Sequence, residues 1–315
     1  MAQNGYTEMF KPIKIKNIEL KNRLVMAPAT TNYSQAGYVT EQEIAYLAAR
    51  ARGGVGLVVT APASYLMPGS SVHVVVPLLS ERAHMPMWNE LAETIHAFGS
   101  KIFGQVFAGV PGRQMLRGHK VKGVSPLPVV RVPRENIPKG ELEFEARKGL
   151  APFWDMYNDG PVPEELSIEE IHWIEDAYAT IARLMKGCGF DGAELHFAHG
   201  YLGDNFLSPR TNLRTDAYGG SFENRVRFFR NVVIKTRVQV GPEFVVGVRL
   251  TGEEHMAGGE EKRIRKCIRC LVCLRRTRHG LGMRCEVNRE VGQERYMPEH
   301  NRRAAPQWKE FYLPK

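Results

Sequence analysis

Residues 167–201 read SIEEIHWIEDAYATIARLMKGCGFDGAELHFAHGY, and this stretch decides the fold. Ser167 followed by Glu170 is the signature of a capping box, and apolar residues at helical spacing come directly after it. We therefore expect a helix over 167–186, which two glycines terminate. The apolar run 191–197 that follows predicts a buried strand. The stretch is thus one helix–strand unit of a parallel α/β sheet.

The same alternation of short apolar runs and longer helix-like segments continues on both sides of this stretch. Near-continuous apolar strands suit a sheet that is covered on both faces. The order therefore predicts βα units around a parallel sheet. The predicted strands are LVMAPA (24–29), VGLVVT (55–60), IFGQVF (102–107), DGAELHF (191–197) and FVVGVRL (244–250), and the predicted helices are 40–52, 86–98, 167–186 and 221–240.

Two segments depart from the alternation. Residues 110–165 are rich in Pro and Gly without a clear period, and in a barrel they would form an excursion over the active-site end. After Gly259 the charge density rises and the alternation of strands and helices stops. We therefore expect two domains, an α/β domain over 1–259 and a small basic segment over 260–315 that contains four cysteines.

Composition and charge limit the classes of function. A hydrophobic content of 43% with 24% charged residues fits an ordinary globular protein and excludes wholesale disorder. No apolar window approaches the ~18 residues of a membrane span, and the N-terminus lacks a signal-peptide pattern, so we expect a cytoplasmic protein without a membrane partner. Residues 260–315 hold 15 Lys+Arg against 7 Asp+Glu, and the rest of the chain is nearly balanced. This basic segment either neutralises a cluster of thiolates, which is the favoured interpretation, or binds nucleic acid.

Candidate catalytic residues follow directly on residues 191–195, at the carboxyl end of the predicted strand. In a parallel α/β barrel, side chains at the carboxyl end of a strand face the active-site mouth. His196 and His199 could donate hydrogen bonds to a substrate oxygen that gains negative charge, and the Tyr201 phenol could deliver a proton. For any one of them the alternative is a backbone-capping histidine or a packed tyrosine. Metal binding by the two histidines lacks a third ligand nearby in the sequence.

Four of the five cysteines lie close together after the predicted boundary. Cys267, Cys270, Cys273 and Cys285 provide the ligand set of a [4Fe–4S] cluster or of an all-cysteine zinc site. Cys188, at the end of the helix 167–186, is interpreted as a small buried hydrophobic residue.

Several motifs in the right order resemble the old yellow enzyme family, and more narrowly its 2,4-dienoyl-CoA reductase and NADH:flavin oxidoreductase branch. The longest is HFAHGYLGDNFLSPRTNLRTDAYGGSFENRVRFF at 196–229. FKPI at 10–13, LKNRLVMAP at 20–28, RARGGVGL at 50–57 and GVRL at 247–250 agree as well. The resemblance covers nearly all of 1–259 and implies a (β/α)8 barrel that holds FMN and reduces activated C=C bonds with electrons from NAD(P)H.

The resemblance also implies roles for residues at the ends of the predicted strands. Pro28, Ala29 and Thr30 would lie beside the flavin ring, with Thr30 at a position that tunes the flavin potential. Gln105 would bond the pyrimidine edge of the flavin, and Arg249 would place positive charge near its N1 side. An alternative for Arg249 is an ion pair between strands of the barrel.

The catalytic trio and the cysteines also match the family. His196 and His199 take the place of the pair that holds the substrate carbonyl oxygen, and Tyr201 takes the place of the proton donor. In the branch, a [4Fe–4S] cluster after the barrel relays electrons to FMN. The implied substrate is an α,β-unsaturated carbonyl compound or a CoA thioester, and a homo-oligomer or a separate electron-donor protein remains open.

The number of strands differs from that of the family. Five strand runs precede the cysteines, whereas the barrel needs eight, so the expected fold is an incomplete (β/α)8 barrel in which about three βα units are absent. This leaves a second functional hypothesis from a different class. The chain would then be a catalytically impaired relative that acts as a four-cysteine metal-binding interaction protein, with nucleic acid as one partner.

Overall fold

The computed structural model describes residues 7–66, 77–109, 122–127 and 162–251. Its strands are β1 (Ile13–Ile15), β2 (Ile18–Leu20), β3 (Val25–Met26), β4 (Leu57–Val59), β5 (Ala63–Leu66), β6 (Lys101–Gly109), β7 (Lys122–Gly123), β8 (Glu164–Glu165), β9 (Gly192–Phe197) and β10 (Val245–Leu250). Each of the five predicted apolar runs contains a strand (β3, β4, β6, β9 and β10), and five further short strands lie outside those runs.

Three of the five described helices, α1, α3 and α5, begin at residues whose side chains cap them. Thr40 and Ser221 accept backbone N–H groups at the start of α1 and α5, and Ser167 and Glu170 form the predicted capping box of α3. In the described part of the chain, no helix is long and apolar enough to cross a membrane. The helices are α1 (Glu41–Arg52), α2 (Met85–Ala97), α3 (Ile168–Gly187), α4 (Leu202–Leu207) and α5 (Phe222–Val240), with 3₁₀ turns at Thr7–Phe10 and Arg82–His84.

The central sheet is parallel and its strands follow one another in chain order. The strand order is β10-β9-β6-β4-β3, and β5 continues from β4 along the same edge of β6. Along the sequence, each pair of neighbouring strands in this sheet is connected through one long helix. These helices are α1, α2, α3 and α5. This is the wall of a (β/α)8-type barrel, with five of its strand positions in sequence. The α/β fold predicted from the sequence, including the parallel pairing of 24–29 with 55–60, is confirmed.

The outer face of the sheet packs on the helices. Side chains alternate between the two faces of a strand, and the outward set of β6 and β9 is fully buried beneath α3 and α5. This set comprises Ile102, Val106, Ala193, Leu195 and Phe197. Cys188 at the end of α3 is also fully buried, and burial raises the pKa of its thiol to about 11. Its interpretation as a small hydrophobic residue is therefore confirmed.

The inner face of the sheet is apolar at the amino ends of its strands. Leu57, Val59, Phe103 and Val245 form a small inner cluster with Leu20. Leu20 belongs to the antiparallel hairpin of β1 and β2, whose Ile15 and Ile18 pack against the same cluster. The hairpin thus closes this end of the barrel wall, and the inner face is left for polar residues at the carboxyl ends.

The two described ends of the excursion 110–165 are held together. β7 and β8 form a short parallel ladder. The buried guanidinium of Arg214 donates to the carbonyl oxygens of Val124 (3.2 Å) and Leu166 (2.8 Å) and pairs with Asp216 at 2.6 Å. The rest of the excursion, and the predicted boundary after Gly259, lie outside the described residues.

Candidate active site

The candidate site lies at the carboxyl ends of β6, β9 and β10, on the inner face of the sheet. In β9, Ala193, Leu195 and Phe197 belong to the outer core, so Glu194 and His196 point inward. The same alternation turns Gln105 and Arg249 inward from the neighbouring strands. Side chains from three consecutive strands therefore converge on one region of the inner face.

Glu194 is the centre of a polar cluster. Its carboxylate accepts a hydrogen bond from Gln105 Nε2 at 2.8 Å. It also accepts from Arg249 Nε at 2.8 Å and from Arg249 Nη2 at 3.3 Å. The interstrand ion pair considered for Arg249 is therefore present. Gln105 is only 3% exposed, whereas the Arg249 side chain keeps 30% of its surface accessible, so part of its guanidinium can still reach a ligand.

His196 is a buried imidazole with an unused polar atom. The residue is 3% exposed, and its Nδ1 is buried without a hydrogen-bond partner in the structure. Burial lowers the pKa of His196 to about 3, with the neighbouring His199 and Arg249 adding to the effect. The ring is therefore neutral at pH 7 and can exchange a hydrogen bond with an uncharged or oxyanionic ligand. Below it, the Tyr178 hydroxyl donates to the His196 carbonyl at 3.2 Å.

His199 and Tyr201 lie next to His196, as the sequence motif indicates. The His196 ring centroid is 5.1 Å from that of His199 and 5.3 Å from that of Tyr201. Tyr201 also makes an edge contact with Phe107, at 5.5 Å between centroids. His199 is exposed and Tyr201 is half-buried. The three polar rings thus lie together at the carboxyl end of β9, and Phe107 packs against Tyr201 beside them.

The loop that carries these rings is held by specific contacts. His199 and Gly200 both have positive φ values, 64° and 69°, which turn the chain sharply after β9. Asp204 accepts from the Gly200 amide at 2.6 Å and from the Thr251 hydroxyl at 2.9 Å. The Thr251 oxygen in turn accepts from the His199 amide at 3.2 Å. The loop is therefore fastened to α4 and to the end of β10.

Helix α4 lies directly against β9, because Gly203 has no side chain. A Cβ atom at this position would be 2.0 Å from Cδ1 of Phe197. Only glycine permits this approach, and the approach places Tyr201, the residue before α4, beside His196.

The remaining predicted site residues lie elsewhere. Pro28, Ala29 and Thr30 follow β3 at the same carboxyl-terminal edge of the sheet and are all half-buried. They are two strands away from Gln105 in the sheet order. Cys267, Cys270, Cys273 and Cys285 lie outside the described residues, so their proposed metal site stays a prediction. Among the described residues, no group of three metal-ligating side chains is found.

Three residues of the site were not identified from the sequence. Glu194, Phe107 and Tyr178 contact residues that were predicted to form the site. Each of the three lies inside an apolar run or a helical segment of the sequence, which favours a position in the core. A signal for the first two was available, since Glu194 precedes His196 by two residues and Phe107 follows Gln105 by two, which places each on the same strand face.

A family profile matches most of the chain. The profile described as the NADH:flavin oxidoreductase / NADH oxidase family covers residues 8–271. An NADH oxidase of Thermoanaerobacter brockii is 35% identical over 268 residues, which is 84% of this chain and 37% of that protein. The chain therefore spans little more than a third of the length of this relative.

Two solved structures also match most of this chain. An old yellow enzyme homologue from Zymomonas mobilis matches with a TM-score of 0.62 and 28% identity, over 77% of this chain and 63% of that one. A 2-naphthoyl-CoA reductase in complex with 2-naphthoyl-CoA matches with a TM-score of 0.62 and 29% identity, over 77% of this chain and 35% of that one.

Proposed function

The chain belongs to the NADH:flavin oxidoreductase / NADH oxidase family, and from this membership we propose that it is an FMN-dependent oxidoreductase that takes electrons from NAD(P)H. Its substrate class is that of α,β-unsaturated carbonyl compounds. The observation that carries the proposal is the unpartnered, buried Nδ1 of a neutral His196, with His199 and Tyr201 beside it. A buried polar atom without a partner costs stability unless a ligand uses it.

The donor set at the strand ends fits a flavin ring. The edge of the isoalloxazine carries carbonyl oxygens and ring nitrogens that accept hydrogen bonds, and Gln105 and Arg249 supply amide and guanidinium donors. Pro28, Ala29 and Thr30 would complete the contacts to the ring from the β3 side. Bound FMN would supply hydride transfer to the β-carbon of the substrate.

The protein residues supply the electrostatic and proton-transfer parts of the reaction. His196 and His199 would donate hydrogen bonds to the carbonyl oxygen and so stabilise the negative charge that it gains. The Tyr201 phenol would give its proton to the α-carbon. Phe107 would exclude water from one side of the bound substrate, since its ring makes an edge contact with Tyr201 and its centroid lies 6.4 Å from that of His196.

An aromatic or enoyl CoA thioester is one substrate within this class. The support is the likeness to the reductase that binds 2-naphthoyl-CoA, together with the apolar Phe107 beside the polar rings. A thioester carbonyl presents the same oxygen to the two histidines as a ketone does.

We also propose that the four clustered cysteines take part in electron transfer. Cys267, Cys270, Cys273 and Cys285 would hold a [4Fe–4S] cluster, since four thiolates within one basic segment satisfy its ligand requirement. Such a cluster would connect an external electron donor to the barrel domain. Iron and sulfide in anaerobically purified protein would support this role, and zinc alone would contradict it.

The function is tested by a visible spectrum and an anaerobic turnover assay. Protein purified with added FMN should show flavin absorption bands, and NADH or NADPH should bleach them. An enone such as cyclohexenone should then restore the oxidised spectrum in a stoichiometric amount. Protein that contains iron or zinc but takes up no flavin would contradict the proposal and favour a metal-binding interaction protein.

A further inference from the structure

Glu194 links the two side chains that are proposed to meet the flavin ring. It stands directly opposite Gln105 in the register of β6 and β9. Arg249 of β10 lies opposite His196, one inward position further along. One carboxylate therefore receives donors from both neighbouring strands, at 2.8 Å from Gln105 Nε2 and 2.8 Å from Arg249 Nε.

The environment makes these contacts consequential. The Glu194 side chain is 16% exposed and that of Arg249 is 30% exposed, so water screens their attraction less than it would at the surface. Without the carboxylate, Arg249 would keep a full, partly buried positive charge and Gln105 would lose its acceptor. Both side chains would then be free to leave their present rotamers.

We propose that Glu194 is a positioning residue of the cofactor site, an inference that rests on the proposed FMN-dependent function. It holds Gln105 and Arg249 side by side and cancels part of the Arg249 charge. It thereby sets how strongly the site prefers reduced over oxidised FMN. The guanidinium favours the reduced cofactor, which carries more negative charge, and the carboxylate limits that preference.

The test compares Glu194→Gln with a matched control, Glu175→Gln. Glu175 is also a buried carboxylate that accepts hydrogen bonds, from Tyr218 at 2.9 Å and Asn231 at 2.9 Å, and pairs with Lys235 at 3.1 Å. It lies in α3, on the helical layer of the fold. The dissociation constants of oxidised and reduced FMN are measured for each holoprotein, and the flavin midpoint potential is measured in parallel.

Glu194→Gln should shift the affinity ratio toward reduced FMN by about tenfold, which raises the midpoint potential by about 30 mV. Glu175→Gln should leave the ratio and the potential unchanged. An unchanged ratio in a Glu194→Gln protein that binds FMN would overturn the inference. If that variant does not fold, Glu194→Asp replaces it. The shorter carboxylate should weaken both affinities and keep the ratio, and unchanged affinities would overturn the inference.

A second measurement needs no flavin. The urea midpoints of the apoprotein are compared for Glu194→Gln, Arg249→Gln and the double variant. Coupled residues give a double variant whose shift is smaller than the two single shifts together. Failure of the wild-type protein to bind FMN would refute the proposed function, and this cycle would then still decide whether Glu194 holds Arg249 in place. Additive shifts would overturn this role and non-additive shifts would support it.

Discussion

The buried imidazole of His196 makes the stability of the folded protein depend on pH. Its pKa is lowered by burial to about 3 in the folded protein, whereas an unfolded histidine titrates near 6.5. The unfolded state therefore binds more protons between these values, so the contribution is complete above pH 6.5 and is lost as the pH falls toward 3. We expect a loss of about 2 kcal/mol between pH 6.5 and pH 5 from this residue.

The measurement is urea unfolding of the wild-type protein and of His196→Asn across this range. Asparagine keeps a polar group at the position but does not titrate, so the stability of the variant should change less with pH by about that amount. Equal pH slopes for the two proteins would contradict the neutral, buried state of His196.

The hydroxyl group of Tyr201 is the proposed proton donor, and one substitution tests this role. Tyr201→Phe removes only the hydroxyl, and the edge contact with Phe107 can persist. FMN affinity should therefore stay close to that of the wild type, and the rate of enone reduction should fall by about 10²–10⁴-fold, the range of a general-acid contribution. Tyr38→Phe, at an exposed position, is the control and should keep full activity. A Tyr201→Phe enzyme with the wild-type rate would refute the role of proton donor.

Single residues also show the limits of inference from sequence. Gln105 was identified by its place at the end of a predicted strand and Arg249 by its place in the GVRL motif, and both point to the inner face. Their shared partner Glu194 was not identified, because a contact across strands depends on the register, and register is fixed by long-range packing that one sequence does not display. The strand alternation alone places Glu194 on the same face as His196, but not against Arg249.

The packing of α4 against β9 is sensitive to the side-chain volume at Gly203. Gly203→Ala would place a Cβ 2.0 Å from Cδ1 and 3.0 Å from Cα of Phe197. The helix must then move away from β9 and carry Tyr201 with it. We expect a loss of about 1–3 kcal/mol in urea unfolding and weaker binding of cyclohexenone in a fluorescence titration.

Gly187→Ala is the control for this prediction. It replaces a glycine at the end of α3, and its Cβ would meet only the flexible end of Met85 at 3.0 Å. It should therefore change both stability and cyclohexenone binding much less than Gly203→Ala does. Equal effects of the two substitutions would contradict the role assigned to the α4–β9 contact.

Most elements were predictable because their signals are local. The capping residues Ser167 and Ser221 mark the starts of two helices, and all five apolar runs form strands of the central sheet. β5 was not predicted, because Ala63–Leu66 is a short mixed run that directly follows a proline and has little hydrophobic pattern. It becomes a strand through its pairing with β6, a tertiary contact that overrides weak local preference.

The whole molecule governs how a flavin would be held. The residues proposed to contact FMN, which are Gln105, Arg249 and residues 28–30, would all contact its ring. In barrels of this class, phosphate is held by the loops after strands 7 and 8, whereas the described sheet contains five strand positions. We therefore expect riboflavin and FMN to bind this chain with dissociation constants within about tenfold of each other.

Fluorescence titrations with the two ligands test this expectation directly. Lumiflavin, which lacks the ribityl chain, is a useful third ligand because it reports the ring contacts alone. FMN that binds orders of magnitude more tightly than riboflavin would contradict the prediction. It would mean that residues outside the described part of the chain, with the basic segment 260–315 as one candidate, supply the phosphate site.

The consecutive order of the strands has a consequence for biosynthesis. Because β3, β4, β6, β9 and β10 are neighbours in the sheet in the same order as in the chain, each new strand meets a partner that left the ribosome before it. The ribosome adds about 5–20 residues per second. Helices and hairpins form much faster than this, so each one can form as soon as its residues have emerged. Translation can therefore build this wall one βα unit at a time, and the strand edge open to misassembly advances with the nascent chain.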